Sequence, residues 1–272
     1  MSTQFGYLQG GLGNQLFIIA ALYRYQERVD PTCRVVFTAR TNIGQEFAVH
    51  PRDSYENTLL SWIQRLPPQT PIHSLRQLPV ITDHIPSKLD RSCLFFGYFQ
   101  DRDLVTPLPT VMKDQLLARK PARGAGKESF DVGVHIRRGD YVTLQHIYVY
   151  LSSSYYTRAL QKVHEHYRRP LRVIIVSDDL ESSRHTVCSS ENWSVEWRTG
   201  QTDEDDFWTL VDCPWIITAN STFSWWAAVL HHEVHESPGT ICPRSWFRDR
   251  TTPNFEAHVP RGEWVSLEVE GI

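Results

Sequence analysis

Apolar residues recur along this chain with two periods, and the breaks between them outline its elements. Gln4–Gln9 is a short extended run, Gly10-Gly11-Leu12-Gly13 interrupts it, and from Asn14 to Arg28 the residues Leu16, Phe17, Ala20, Ala21 and Tyr23 fall at helical spacing. Strand, glycine turn and helix are therefore predicted in that order. Cys33–Thr38 reads as the next strand. From about Asn57 to Leu108 prolines interrupt a weaker periodicity, and no element is assigned with definite bounds. Lys120–Lys127 combines Pro, Gly and basic residues without apolar periodicity, which predicts a linker between an N-terminal domain, 1–122, and a C-terminal domain, 123–272. Beyond it the pattern alternates: strand Asp131–Ile136, helix about Ser154–Arg168, strand Leu171–Val176, helix about Asp203–Val211, strand Trp215–Thr218, helix about Thr222–His231 and a strand near Thr240–Cys242.

Such alternation implies a parallel sheet covered by helices on both faces. Open sheets of this kind bind ligands beyond the carboxyl ends of their strands, so the residues after Ile136, Val176 and Thr218 become the first candidates for contact. Each of these places carries a polar motif. His135-Ile136-Arg137-Arg138-Gly139-Asp140-Tyr141 leaves the first strand, whose pleat sends Arg137 and Arg138 to opposite sides. One guanidinium can then face a ligand, its planar fork matched to phosphate oxygens, while the other turns back to a carboxylate; a surface Arg–Asp pair closing the strand is the plainer reading. Ser177-Asp178-Asp179 follows the second strand, where carboxylates can accept from sugar hydroxyls or hold an arginine. Asn220-Ser221-Thr222 opens the last helix with short polar side chains, suited to N-capping or to binding an anion.

Gly10–Gln15 lacks the spacing of a dinucleotide or phosphate loop, and offers a tight turn with the amides of Asn14 and Gln15 presented. Asp203-Glu204-Asp205-Asp206 contains an Asp-x-Asp, a cation-binding pattern in some glycosyltransferases. Thr202 three residues before Asp205 instead predicts a capping box, with acidic residues favoured by the helix dipole. The two adjacent tryptophans, Trp225 and Trp226, are expected in the core.

Composition narrows the classes. Hydrophobic residues at 41% and charged residues at 22% are usual for a folded globular chain, and a formal net charge of -3 disfavours non-specific nucleic-acid binding. No apolar run is long enough for a bilayer and the N-terminus lacks the features of a signal peptide, so a cytoplasmic protein is expected. Five scattered cysteines without a C-x-x-C pair predict reduced thiols, with no disulfide and no zinc site.

Taken together and in this order, GGLGNQ (Gly10–Gln15), HIRRGDY (His135–Tyr141), SDD (Ser177–Asp179) and NSTFSWW (Asn220–Trp226) resemble the alpha-1,2-fucosyltransferase family. The resemblance runs from about Phe5 to Leu230, and reaches alpha-1,6- and O-fucosyltransferases more distantly through the arginine motif. It implies a GT-B-like α/β architecture, two Rossmann-type domains with parallel sheets facing a cleft. It further implies inverting transfer of fucose from GDP-fucose to the 2-hydroxyl of a galactose-containing glycan. On that reading Arg137 binds the diphosphate, His135 and Asp206 contact the nucleoside, Ser221 and Thr222 donate to the phosphates and Asp178 lies beside ribose or base. The turn at Gly11, Gly13 and Asn14 approaches the donor from the other domain. Asp140 and His135 are the candidates for the base that takes the acceptor proton. A cationic arginine replaces a metal at the leaving group, so no cofactor is expected. Two rivals stand beside this reading: a metal-dependent transferase with another donor, using Asp203 and Asp205, and a non-catalytic glycan-binding module using some of the 9 Trp and 11 Tyr.

Overall fold

The structure is a computed structural model, and it describes residues 1–38, 55–67, 69–82, 84–122, 129–237, 239–249 and 264–270. The chain divides into two compact units, Met1–Lys120 and Pro121–Ile272. Most of the predicted linker Lys120–Lys127, namely 123–127, lies outside the described residues.

In the first unit β1 (Thr3–Gly6) leads through the glycine turn into α1 (Leu12–Arg28), followed by β2 (Arg34–Phe37). A 3-10 turn (Ile72–Gln77), β3 (Val80–Ile81), β4 (Cys93–Phe95), α2 (Arg102–Val105) and α3 (Thr110–Leu117) complete it. The strands form a parallel sheet in the order β2-β1-β4-β3. α1 is apolar on nearly every side, with Leu16 to Leu22 buried throughout, as a helix enclosed by its unit must be. It starts two residues earlier than the periodicity suggests, because Leu12 is already apolar and buried. One consequence corrects an expectation: the Gln15 amide donates to the Gly11 carbonyl at 3.1 Å and so belongs to the first helical turn instead of being presented.

The second unit holds β5 (Val132–Ile136), a 3-10 turn (Gly139–Val142), α4 (Ser153–Tyr167), β6 (Leu171–Ser177), α5 (Leu180–Ser183) and β7 (Trp193–Trp197). It continues with α6 (Asp203–Asp212), β8 (Trp215–Ile217), α7 (Thr222–Val234), β9 (Gly239–Pro243) and β10 (Val265–Leu267). All six strands are parallel, in the order β10-β9-β8-β5-β6-β7, so β5 is central. This is the α/β parallel-sheet class expected from the alternation. The pleat of β5 assigns its residues to two layers. Val132, Val134 and Ile136 join the cluster that includes Tyr155, Tyr156, Leu160 and Val163 of α4. Gly133 lies against Leu210 and Cys213, and the His135 ring is 5.3 Å from that of Phe223 on α7. Trp225 and Trp226 are buried, as core residues. Among the described residues no helix is long and apolar enough to cross a membrane, and all five cysteines are free.

Candidate active site

Register brings the first two motifs together. β5 pairs with β6 so that Ile136 lies opposite Ser177, which places Arg137 beside Asp178 just past the sheet's carboxyl edge. Arg137 Nη1 lies 2.7 Å from Asp178 Oδ2, and Nη2 pairs with Asp140 Oδ1. The other Asp178 oxygen accepts the Arg138 amide at 2.8 Å. Gly139 makes this approach possible. Its φ is +26°, and a Cβ there would meet Asp178 Oδ2 at 2.3 Å, so the tight turn needs glycine on both counts. The Arg137 guanidinium also sits 5.2 Å from the centroid of the Tyr141 ring. Tyr141 stacks on Tyr148 at 4.1 Å, and its hydroxyl donates to the Asn220 carbonyl at 3.1 Å.

The two arginines do take opposite sides, but the assignment of carboxylates is corrected. Asp140 and Asp178 hold Arg137 through side-chain ion pairs, whereas Arg138 is buried and turns to neutral partners. It donates to the Arg137 and Leu151 carbonyls at 3.1 and 3.0 Å and to Thr186 Oγ1 at 3.0 Å, with its guanidinium 4.2 Å from the Tyr150 ring centroid. The 3-10 turn carries Asp140 back toward Arg137, three residues before it, while Arg138 follows the α4 side of the pleat.

His135 is buried against Phe223, and its Nδ1 has no hydrogen-bond partner among the described residues. Burial, reinforced by the nearby Arg137 charge, pushes its pKa down to about 3, so the ring is neutral at ordinary pH and a poor acceptor for a proton. Ser221, not Asn220, caps α7: its hydroxyl accepts the Phe223 amide at 3.3 Å and still has a proton to donate. Asn220 is structural, its side-chain amide donating to the Val149 and Trp246 carbonyls at 2.8 and 3.1 Å. Thr222 opens the first turn of α7.

Asp206 lies on α6, where burial raises its pKa to about 6. Arg198 Nε is 3.6 Å away, an ion pair too long for a hydrogen bond, and Asp206 Oδ1 is buried without such a bond. Its link to Arg137 is indirect: the adjacent Phe207 meets Phe223 edge-on at 5.6 Å, and Phe223 touches His135. Asp205 and Thr202 form the capping box expected of them. Asn14, Gly11 and Gly13 belong to the first unit, where Gly11 caps α1, Gly13 is buried in its first turn and Asn14 Oδ1 accepts from Gln100 Nε2 at 2.9 Å. Sequence reasoning overlooked Tyr141 and Arg198. The first was visible within HIRRGDY but carries no charge, and the second follows β7, a strand that reasoning missed.

This parallel sheet, with its charged carboxyl edge, is that of a glycosyltransferase by comparison with known proteins. The chain belongs to glycosyl transferase family 11, whose family model matches residues 117–268, more than half of its length. Across 98% of this chain and all of the relative, it is 25% identical to an alpha-1,2-colitosyltransferase of Escherichia coli. It is 24% identical to the O-antigen biosynthesis glycosyltransferase WbnK of the same organism, over 96% of this chain and 99% of the relative. A shorter match, 35% identical over 50% of this chain and 38% of the relative, is to the galactoside 2-alpha-L-fucosyltransferase SEC1 of Bos taurus. Among solved structures, a NodZ alpha-1,6-fucosyltransferase soaked with GDP-fucose overlaps 84% of this chain and 92% of its own at 12% identity and a TM-score of 0.45. The E. coli heptosyltransferase WaaC with ADP overlaps 98% and 93% at 9% identity and a TM-score of 0.49. These overlaps are loose, and the fold stands on its own strand order.

Proposed function

We propose that this chain transfers L-fucose from GDP-fucose to the 2-hydroxyl of a terminal galactoside, with inversion and without a catalytic metal, giving an alpha-1,2-linked fucose on a glycan. The observation that carries the reading is Arg137, fixed just beyond the central strand β5 by Asp140, Asp178 and the Tyr141 ring. A departing nucleoside diphosphate gains negative charge as the sugar–phosphate bond breaks, and a donor already in place favours that transition state over the ground state. Arg137 supplies the charge, the Ser221 hydroxyl and the start of α7 supply further donors, and Asp178 orients the guanidinium. His135 and Asp206 serve the nucleoside: they lie on neighbouring elements of the second unit, linked through the Phe223 and Phe207 rings. Asp140 is the better placed of the two candidates for the acceptor proton, being half-exposed beside Arg137 where His135 is buried. Five scattered cysteines without a C-x-x-C pair support action in the reducing cytoplasm.

A second reading changes the sugar and keeps the linkage, because a relative matched along its whole length is named an alpha-1,2-colitosyltransferase. Incubating the enzyme with GDP-fucose, or with its colitosyl analogue, and a panel of galactosides separates the two by linkage analysis of the product. Fucose on the galactose 2-hydroxyl, undiminished by EDTA, is the expected result. Transfer of colitose alone moves the assignment to the second reading, and activity restored only by a divalent cation refutes the metal-free mechanism.

A further inference from the structure

Arg137 has no idle fork in this structure: both terminal nitrogens are engaged by carboxylates, Nη1 by Asp178 and Nη2 by Asp140. An incoming diphosphate brings its own negative charge to the same guanidinium, so it must either sit beside two aspartates or displace one. The two differ in exposure and in the element that carries them. Asp178 also accepts the Arg138 amide, lies against Gly139 and is 20% exposed at its side chain. Asp140 rides on the 3-10 turn Gly139–Val142 and is 47% exposed, so water can take over its solvation when it leaves.

We propose that Asp140 is a built-in stand-in for the donor phosphate. It occupies the Nη2 side of Arg137 while the site is empty, keeps the guanidinium extended over Tyr141, and is displaced when the diphosphate arrives. Asp178 stays in place throughout and positions the arginine. Donor affinity is therefore set below what Arg137 alone would give, by competition with an internal anion. The idea rests on the GDP-linked donor reading above and adds to it a determinant of affinity. It is also compatible with a base role for Asp140, because displacement takes the carboxylate off the guanidinium.

The sign of one affinity change tests it. A carboxylate that merely orients Arg137 would weaken nucleotide binding when neutralised, whereas a competitor strengthens it. Calorimetry of GDP binding to the wild type, Asp140→Asn and Asp140→Ala should show both variants binding on the order of tenfold more tightly, the size left to a half-exposed charge after screening. That gain should shrink as salt is raised. Unchanged or weaker GDP binding in both variants would overturn the proposal and leave the donor reading standing. A wild type that binds no GDP would overturn the donor reading, and this inference with it. Turnover is read separately: a fall in kcat beside tighter GDP binding assigns Asp140 the proton as well.

Discussion

The two units both carry a parallel sheet, yet their strand ends are built from opposite materials. In the first, β1 leaves through a neutral glycine turn, and Asn14 and Gln15 side chains tie it down: Gln15 Nε2 donates to the Gly10 carbonyl at 3.1 Å and Gln100 to Asn14. In the second, β5 leaves into two arginines and two aspartates, with a stacked pair of tyrosines beneath. Neutral amides fix backbone shape and add no net charge, whereas ions placed just past a sheet edge are costly unless paired, and they provide an electrostatic site once a ligand replaces a partner. The difference is one of charge: the strand end of the second unit carries paired ions, and that of the first, among the described residues, carries none.

The strongest break of that comparison is Arg137→Ala. If the charged edge acts on the leaving group, turnover of GDP-fucose should fall by roughly 10²–10³, the usual cost of one transition-state donor, and GDP binding should weaken with it. The fold should survive, because Arg137 lies beyond the strand and the β5 core of Val132, Val134 and Ile136 is untouched. Steady-state kinetics together with a thermal melt check both halves. Near-wild-type turnover would move the chemistry away from this edge.

Asp206→Asn tests whether the second unit carries charge at a cost to its own stability. Asp206 has a folded pKa near 6, raised above the usual carboxylate value chiefly by burial. Its contribution is therefore fully present below about pH 4 and is lost as pH rises through 6. The neutral variant should be more stable than the wild type at pH 7.5, by on the order of 2 kcal/mol, and no more stable near pH 4. Chemical denaturation at the two pH values decides it. His135 and His231 run the other way: both are pushed down to about 3 by burial, so each withdraws stability as pH falls below 6.5. Equal melting behaviour of Asp206→Asn and wild type at pH 7.5 would mean that Arg198 fully compensates the buried carboxylate.

The same contrast explains what the sequence made visible. In the second unit β6 is a seven-residue, nearly continuous apolar run buried on both faces, and α4 has fifteen residues in which a period of 3.6 emerges; their predicted bounds lie within a residue of those observed. β3 and β4 have two and three residues, too few to show any period, whereas β7 does alternate, with apolar Trp193, Val195 and Trp197 and exposed Ser194 and Glu196, a strand signal that was legible and missed. The strand-end rule brought out Arg137 and Asp178 separately, and it is the register of β5 with β6 that places them side by side. The rule did not identify which arginine Asp140 would meet, because a three-residue separation gives no direction until the 3-10 turn is known. Nor did spacing reveal Tyr141 as the ring beneath the guanidinium, since aromatic residues next to a motif are equally at home in a core.

The smallest expected effect sharpens the neutral side of the comparison. Gly10 has φ +73° and Gly11 does not, and a Cβ at Gly10 would meet Asn14 Nδ2 at 2.6 Å while one at Gly11 meets nothing within 4 Å. Gly10→Ala should therefore cost about 1–2 kcal/mol through the left-handed backbone alone, and also push the Asn14 amide from its place. Gly11→Ala should leave stability within about 0.5 kcal/mol. If the turn serves only to cap α1, turnover in Gly11→Ala is also unchanged. If Gly11 instead meets the donor, as the family resemblance implies, KM for GDP-fucose rises severalfold with the melting temperature intact, since an added methyl meets nothing within 4 Å in the protein itself. Kinetics and melts on this pair of neighbouring alanine variants thus separate a glycine required by the chain from a glycine required by its substrate.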